Sequence, residues 1–228
     1  MEGTLYVIAT PIGNLADITL RAQEMLAAVD VLLCEDTRVT HKLLKHLDLN
    51  VKTESYREHN HEAKVGRVLE LLRQGSAVGL VSDAGTPGIS DPGTRLVRDL
   101  LVEEPNLPVV AIPGPSAVTA AVSVAGFPSD AFTFLGFPPH KKGRNKFFTS
   151  AVEYPHPVVF YESPHRILKA LDSLIESAPE RQLCICREMT KLHETIYRGT
   201  AAEIKAALGE TIRGEFVVVI DRVKGARS

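Results

Sequence analysis

The sequence predicts an α/β protein made of two α/β domains, the first around a mostly parallel sheet and the second around a mixed one. Three observations carry this expectation. Short apolar runs of strand length recur along the chain, amphipathic segments of helical spacing separate them, and Gly- and Pro-rich turns follow directly on several of the runs. At 228 residues the chain suits one large or two small domains and can bury a sizeable core.

In order, the apolar runs of the first half are Leu5–Ala9, Val31–Cys34, Ala77–Val81 and Val109–Ile112. They are continuous rather than alternating, as expected of parallel strands covered on both faces. Between them, Ala22, Met25, Leu26 and Val29 fall at i, i+3, i+4 and i+7, as do Val65, Val68, Leu69 and Leu72. Asp91-Pro92 reads as an N-cap with proline at the first helical position, opening a helix through Leu96, Val97, Leu100 and Leu101. Ser116 to Gly126 is an apolar helix-like stretch of small residues, too short to span a bilayer. In the second half the strand candidates are Phe132–Leu135, Val158–Tyr161, Leu183–Cys186 and Phe216–Ile220. Phe134–Arg144 reads as a turn-rich hairpin. Ser163-Pro164 repeats the cap signature before Ile167, Leu168, Leu171 and Ile175, and Thr200 with Glu203 forms a capping box. The expected boundary lies near Pro113–Ser116, giving domains 1–115 and 116–228.

Lys plus Arg total 26 and Asp plus Glu 28, a formal net charge of −2. This excludes nucleic-acid binding through global charge but leaves room for a local basic patch. The cysteines, Cys34, Cys184 and Cys186, are odd in number and lack C-x-x-C spacing. Cys184 and Cys186 belong on one face of a strand, so all three read as core thiols in a reducing cytoplasm. Met1-Glu2-Gly3-Thr4 has no basic n-region, so no signal peptide is expected. The expectation is a cytoplasmic protein without membrane association.

Chemistry concentrates where turn residues follow strands. The first strand runs into Thr10-Pro11-Ile12-Gly13-Asn14, the third into Ser82–Gly93, and the fourth into Pro113-Gly114-Pro115-Ser116. All lie at carboxyl ends of strands, where open α/β sheets bind ligands. Neither G-x-G-x-x-G nor G-x-x-x-x-G-K-[ST] occurs, so no standard pyrophosphate cradle is expected. The ligand should be one held by backbone groups and a carboxylate.

Several segments resemble a known superfamily. They are Gly3–Leu15, Cys34-Glu35-Asp36-Thr37-Arg38, Val81–Pro87, Pro113–Ala117, Gly136-Phe137-Pro138-Pro139, Phe160–Arg166 and Arg187-Glu188-Met189-Thr190-Lys191. Their sequence and order are similar to those of the tetrapyrrole methylases, and within that superfamily to the branch that methylates a ribose 2′-hydroxyl of bacterial small-subunit ribosomal RNA. The resemblance runs almost end to end. It implies two α/β domains with S-adenosyl-L-methionine in the cleft between them, a homodimer, and small-subunit ribosomal RNA or the assembled subunit as partner, with a cytidine as acceptor. Carried over by motif, the cofactor should meet Pro11, Asp83, Thr86, Ser116 and Ala117, with Tyr161, Met189 and Gly214 from the second domain. Members of the superfamily often carry a further helical segment after the strand matching Glu215–Ile220. Here the sequence ends at Ser228, so contacts made by such a segment are expected to be missing or replaced.

Individual residues carry two readings each. Asp83 is a turn residue or a ligand for the ammonium and ribose hydroxyls of the cofactor. Glu35, Asp36 and Arg38 form a surface ion pair and cap or a polar wall beside the acceptor nucleotide. Arg57, Glu58, His59, Asn60 and His61 form a polar run expected to touch substrate. A metal site would need more ligands at defined spacing, and none is expected. Arg187, Glu188 and Lys191 are an ion-pair network, or Lys191 steadies a developing alkoxide, or it serves as base if burial depresses its pKa. Lys191, Glu35 and His59 are the candidate catalytic groups. From Ala131 to Val152 no acidic residue occurs, while Lys141, Lys142, Arg144 and Lys146 do, which suggests phosphate contacts. Phe147 and Phe148 are core or stack on bases. The rival readings are tetrapyrrole carbon methylation and a non-catalytic RNA-binding module.

Overall fold

The continuous apolar runs become neighbouring strands because each must be covered on both faces. In a computed structural model, which describes residues 3–209 and 212–223, they form a five-stranded parallel sheet. Its strands are β1 (Thr4–Ile8), β2 (Val31–Cys34), β3 (Thr53–Ser55), β4 (Ala77–Leu80) and β5 (Val109–Ile112), in the order β3-β2-β4-β1-β5. Helices α1 (Leu20–Ala28), α2 (Thr37–His46), α3 (His61–Arg73) and α4 (Gly93–Glu103) connect them. Leu5, Val31, Leu33 and Val78 face Val68, Leu72, Leu96 and Leu100 of α3 and α4. Ile8, Leu32 and Cys34 face Ala22, Leu26 and Leu43 of α1 and α2. The chain divides into two compact units, Met1–Ser116 and Ala117–Ser228, and this sheet organises the first. The readings placed on Met1-Glu2 and on the chain end at Ser228 lie outside the described residues.

The second unit holds β6 (Thr133–Phe134), β7 (Val158–Glu162), β8 (Gln182–Arg187), β9 (Thr195–Thr200) and β10 (Phe216–Ile220), in the order β6-β7-β10-β8-β9. β6 and β7 run parallel, and the pairs β7–β10, β10–β8 and β8–β9 are antiparallel. Its helices are α5 (Ala117–Ala125), α6 (Arg144–Ala151), α7 (Ile167–Ser177) and α8 (Ala201–Leu208). Phe160, Ile185 and Val218 pack on Phe148, Leu171, Leu174 and Ile204. The opposite face presents Val159, Cys184, Cys186 and Val217 to Val118, Ala121 and Ala125 of α5. The C-x-C pair thus sits on one strand face as buried thiols, and Cys34 is buried as well. No helix among the described residues is long and apolar enough to cross a membrane.

The structure corrects several local expectations. Phe134–Arg144 is not a hairpin, because β6 pairs parallel with β7 and a loop followed by α6 makes the crossover between them. A Gly- and Pro-rich stretch announces a turn without saying how the flanking strands pair. Ser163 does not cap α7 with its side chain. A turn intervenes before the regular helix at Ile167, and the Ser163 hydroxyl accepts from Arg166 Nε at 3.0 Å. Asp91 is not the N-cap of α4 either: Pro92 takes that position, without a side-chain cap bond, and the Asp91 carboxylate one residue earlier accepts the Gly88 and Gly93 amides at 2.8 and 2.7 Å, fixing the loop that enters the helix. The Thr200–Glu203 box is formed at α8.

Candidate functional site

The three turn-rich loops of the first unit are stitched to one another at the carboxyl edge of the parallel sheet. Thr10 and Gly85 exchange backbone hydrogen bonds of 2.9 and 3.1 Å, joining the loop after β1 to the loop after β4. Gly85 has φ +79°, a conformation that favours glycine. The Thr86 hydroxyl donates to the Pro115 carbonyl at 3.1 Å, joining the loop after β4 to the loop after β5. Pro11 is buried beneath this edge, and Asp83 is exposed on it.

The loop after β2 closes on the same edge. Asp83 Oδ1 accepts the Asp36 amide at 3.0 Å, and the Asp83 amide donates to the Glu35 carboxylate at 3.4 Å. Arg57 Nε donates to the Glu35 carbonyl at 2.9 Å. Glu35, Asp36, Arg57 and Asp83 therefore come together. Burial pushes the Glu35 carboxyl above its ordinary value, partly offset by the Asp83 amide. Asp36 caps α2 through the Arg38 amide at 2.9 Å and holds the Arg38 guanidinium through both carboxylate oxygens, which keeps its pKa well below the usual range. Both features of the surface reading, cap and ion pair, are present at Asp36.

Glu35 and Arg57 line an open cavity of about 470 Å³ with Glu58, Ser90, Asp91, Pro92 and Arg95. His59, exposed in a 3-10 turn after Arg57, lines a neighbouring recess of about 370 Å³ that shares Glu58 and Arg95. His61 is not at the surface. It is buried, with Nδ1 2.8 Å from Tyr56 Oη and Nε2 2.7 Å from the Asp99 carboxylate. Tyr56 also donates to the Pro92 carbonyl at 3.1 Å, so this chain ties the Arg57 turn to the start of α4. Hydrogen bonds from Arg98 and then His61 hold Asp99 down at about 2. The linkage of Tyr56 to Asp99 through His61 has no signal in the sequence, because the three groups lie on separate elements.

In the second unit, Lys191 Nζ donates to Glu188 at 2.9 Å and to Glu215 at 2.7 Å. Burial alone would lower its pKa, but the Glu215 and Glu188 carboxylates outweigh that and raise it. The depressed pKa that the base reading required is therefore not what this environment produces. Met189 lies between Glu188 at φ +52° and Thr190 at φ +66°. The buried Thr190 hydroxyl meets no partner among the described residues. Gly214, at φ +95°, admits the Glu188 side chain: a Cβ there would lie 2.7 Å from Glu188 Cδ. Tyr161 stacks edge-on against Phe134 at 4.9 Å. Ser116 ends the first unit and Ala117 opens α5.

The basic segment divides. Lys141, Lys142 and Lys146 are exposed, whereas Arg144 is drawn inward to a buried glutamate the sequence did not single out. Glu162 has 0% side-chain exposure. It accepts from Arg144 Nη2 at 2.9 Å and from the Ser163 amide at 2.8 Å, and it pairs with Arg166 Nε at 3.0 Å. Arg144 also lies over the Phe148 ring, 5.0 Å from its centroid. Phe148 is core.

A family model for tetrapyrrole (corrin/porphyrin) methylases matches residues 4–205. The chain is 48% identical over 222 residues to the ribosomal RNA small subunit methyltransferase I of Neisseria meningitidis serogroup A, covering 96% of this chain and 76% of that protein. Identity to the protein of the same name from Escherichia coli O157:H7 is 43% over 225 residues, 96% of this chain and 78% of that one. The fold is similar to the structure of a Thermus thermophilus uroporphyrin-III C-methyltransferase complexed with S-adenosylhomocysteine. The TM-score is 0.63 with 17% identity, over 95% of this chain and 97% of that one.

Proposed function

The chain belongs to the tetrapyrrole methylase family, and from that premise we propose that it is an S-adenosylmethionine-dependent methyltransferase acting on small-subunit ribosomal RNA, with a cytidine 2′-hydroxyl as acceptor. The observation that carries this reading is the 43–48% identity, across 96% of the chain, to proteins named for that activity. The tetrapyrrole C-methyltransferase it resembles in fold is 17% identical, which speaks for the fold alone.

Pro11, Asp83, Thr86 and Ser116 in the first unit, and Ala117, Tyr161, Met189 and Gly214 in the second, are the residues we assign to the cofactor. Bound there, S-adenosylmethionine supplies an electrophilic methyl group on a sulfonium. Glu35 is the group best suited to take the hydroxyl proton: it lines the cavity, it is partly buried, and its pKa is raised toward working pH. His59 is the second choice, being exposed in the adjoining recess. Lys191 serves as a fixed cation rather than a base. Arg57, with its Nε fixed by the Glu35 carbonyl, orients the acceptor nucleotide, and Asp36 and Arg38 form the wall beside it. Lys141 and Lys142 meet RNA phosphates. Arg144 shapes their loop instead of reaching RNA. Holding both reactants in near-attack geometry supplies much of the rate.

The protein is inferred to work in the cytoplasm, where its substrate is made, as a homodimer. The test offers methyl-labelled S-adenosylmethionine with purified small ribosomal subunits, free ribosomal RNA or a uroporphyrinogen. Label in a single ribose of the RNA supports the reading. Label in the tetrapyrrole, or no cofactor binding at all, rejects it. Light scattering at the mass of one chain, 24.9 kDa, would remove the dimer.

A further inference from the structure

The segment between β6 and α6, Gly136–Gly143, lacks regular structure yet is held at four successive points. The Gly136 carbonyl accepts the Tyr161 amide at 2.9 Å. The Pro138 carbonyl accepts Arg166 Nη1 and the Pro139 carbonyl Arg144 Nη1, each at 3.4 Å. The Lys141 carbonyl accepts the Arg144 amide at 3.3 Å. Both arginines are fixed in turn by the one buried carboxylate of Glu162. With its carbonyls turned inward, the segment leaves Phe137, His140, Lys141 and Lys142 exposed.

Phe137 is the unusual member. Its side chain is large and apolar yet 51% exposed, and its ring lies 5.4 Å from that of Tyr161. Tyr161 leans on Phe134, so a ladder of three rings rises from the sheet and ends in solvent beside lysines. An apolar ring ending a ladder offers a π-face, and the lysines around it select a polyanion. In duplex RNA the base faces are stacked away, so the surface suits an unpaired nucleotide.

We propose that Gly136–Gly143 is a preformed docking surface for unpaired RNA, in which Phe137 stacks on a base and Lys141 and Lys142 hold the flanking phosphates. The proposal rests on the ribosomal RNA reading above and names a binding residue, Phe137, which that reading leaves unused.

The test titrates an RNA hairpin with an unpaired loop, and a fully paired duplex of matched length, into the full-length wild type, Phe137→Ala, Phe137→Tyr and the Lys141→Ala/Lys142→Ala double variant over a range of salt. S-adenosylmethionine is titrated into each. Phe137→Ala should lose roughly 5- to 150-fold in affinity for the looped RNA, with an unchanged salt slope and little loss on the duplex. Phe137→Tyr should keep wild-type affinity. The lysine variant should flatten the log–log salt slope by about one for each phosphate it no longer neutralises. Wild-type RNA affinity in a folded Phe137→Ala variant, equal losses on both RNAs, or loss of S-adenosylmethionine binding would each overturn the proposal. A wild type that binds neither RNA and methylates no subunit overturns the functional reading itself, and this proposal with it.

Discussion

Replacing Glu162 by glutamine tests how much the second unit depends on one carboxylate. Glu162 has no exposed side-chain surface, and its two guanidinium partners are only 12% and 18% exposed. Glutamine keeps the shape and one accepting oxygen but removes the negative charge, so two largely buried cations lose their counter-charge. Breaking a buried pair in this way costs about 3–5 kcal/mol. Because the guanidiniums retain some solvent, the lower end, about 3 kcal/mol, is expected here. Arg144→Met should cost less, about 1–3 kcal/mol, since Glu162 keeps Arg166 as a neutralising partner. The order of the two variants is therefore part of the expectation. The chain contains no tryptophan, so urea unfolding is best followed by far-UV circular dichroism. A Glu162→Gln variant within about 1 kcal/mol of the wild type, or one more stable than Arg144→Met, would refute the counter-charge reasoning.

Three further outcomes follow from the same geometry. Asp83→Ala should weaken S-adenosylmethionine by about 1–3 kcal/mol in a calorimetric titration, and Asp83→Asn, which still offers the Asp36 amide an acceptor, should weaken it too. Full affinity in the asparagine variant would show that charge at Asp83 is irrelevant. Lys191 has a raised pKa, so its ion pairs are complete below its ordinary value of 10.5 and are lost only as pH climbs through the higher folded value. Methyl transfer should survive Lys191→Arg better than Lys191→Met, and the wild-type rate profile should carry no Lys191 limb near neutrality; inactivity of the arginine variant would restore the base role. Asp99 has a depressed pKa, so its contribution is present above 3.8 and fades as pH falls through about 2. Asp99→Asn should make acid unfolding less steep across that window, and an unchanged acid transition would remove Asp99 from the linkage.

What could be read from the sequence depended on whether a signal was local. β2 and β5 are continuous apolar runs, and their ends agree with the sequence reading residue for residue. β3 is Thr-Glu-Ser, a polar edge strand that no hydropathy pattern marks. β9 is also an edge strand, interrupted by Arg198 and Gly199. The helix α2 separates its polar and apolar faces well and buries Thr40, Leu43 and Leu44, but only Val39, Leu43 and Leu44 of its residues are apolar, too few to repeat at i, i+3, i+4 and i+7. The same division holds in the site. Asp36 and Arg38 sit two residues apart, and the sequence suggests their pairing. Glu162 answers an arginine 18 residues before it, across a parallel crossover that reads as a hairpin. The carboxylate that does most to decide the state of Lys191 is Glu215, on a segment 24 residues away.

The position of β1 has a consequence for how the chain is made. β1 pairs with β4 on one side and β5 on the other, Thr4 with Ala77 and Leu5 with Val109. The strand synthesised before its two neighbours thus waits for both. At ordinary translation speeds, roughly 5–20 s separate the emergence of β1 from that of β5. Leu5 and Ile8, fully enclosed in the finished protein, have no neighbouring strand until β4 emerges, and one side of β1 stays open until β5 follows. The first unit cannot close one hairpin at a time as it leaves the ribosome, because its strand pairs are parallel and β1 gains its two neighbours only from segments made later. An enzyme proposed to finish ribosomes would itself depend, during that wait, on whatever shelters a nascent chain.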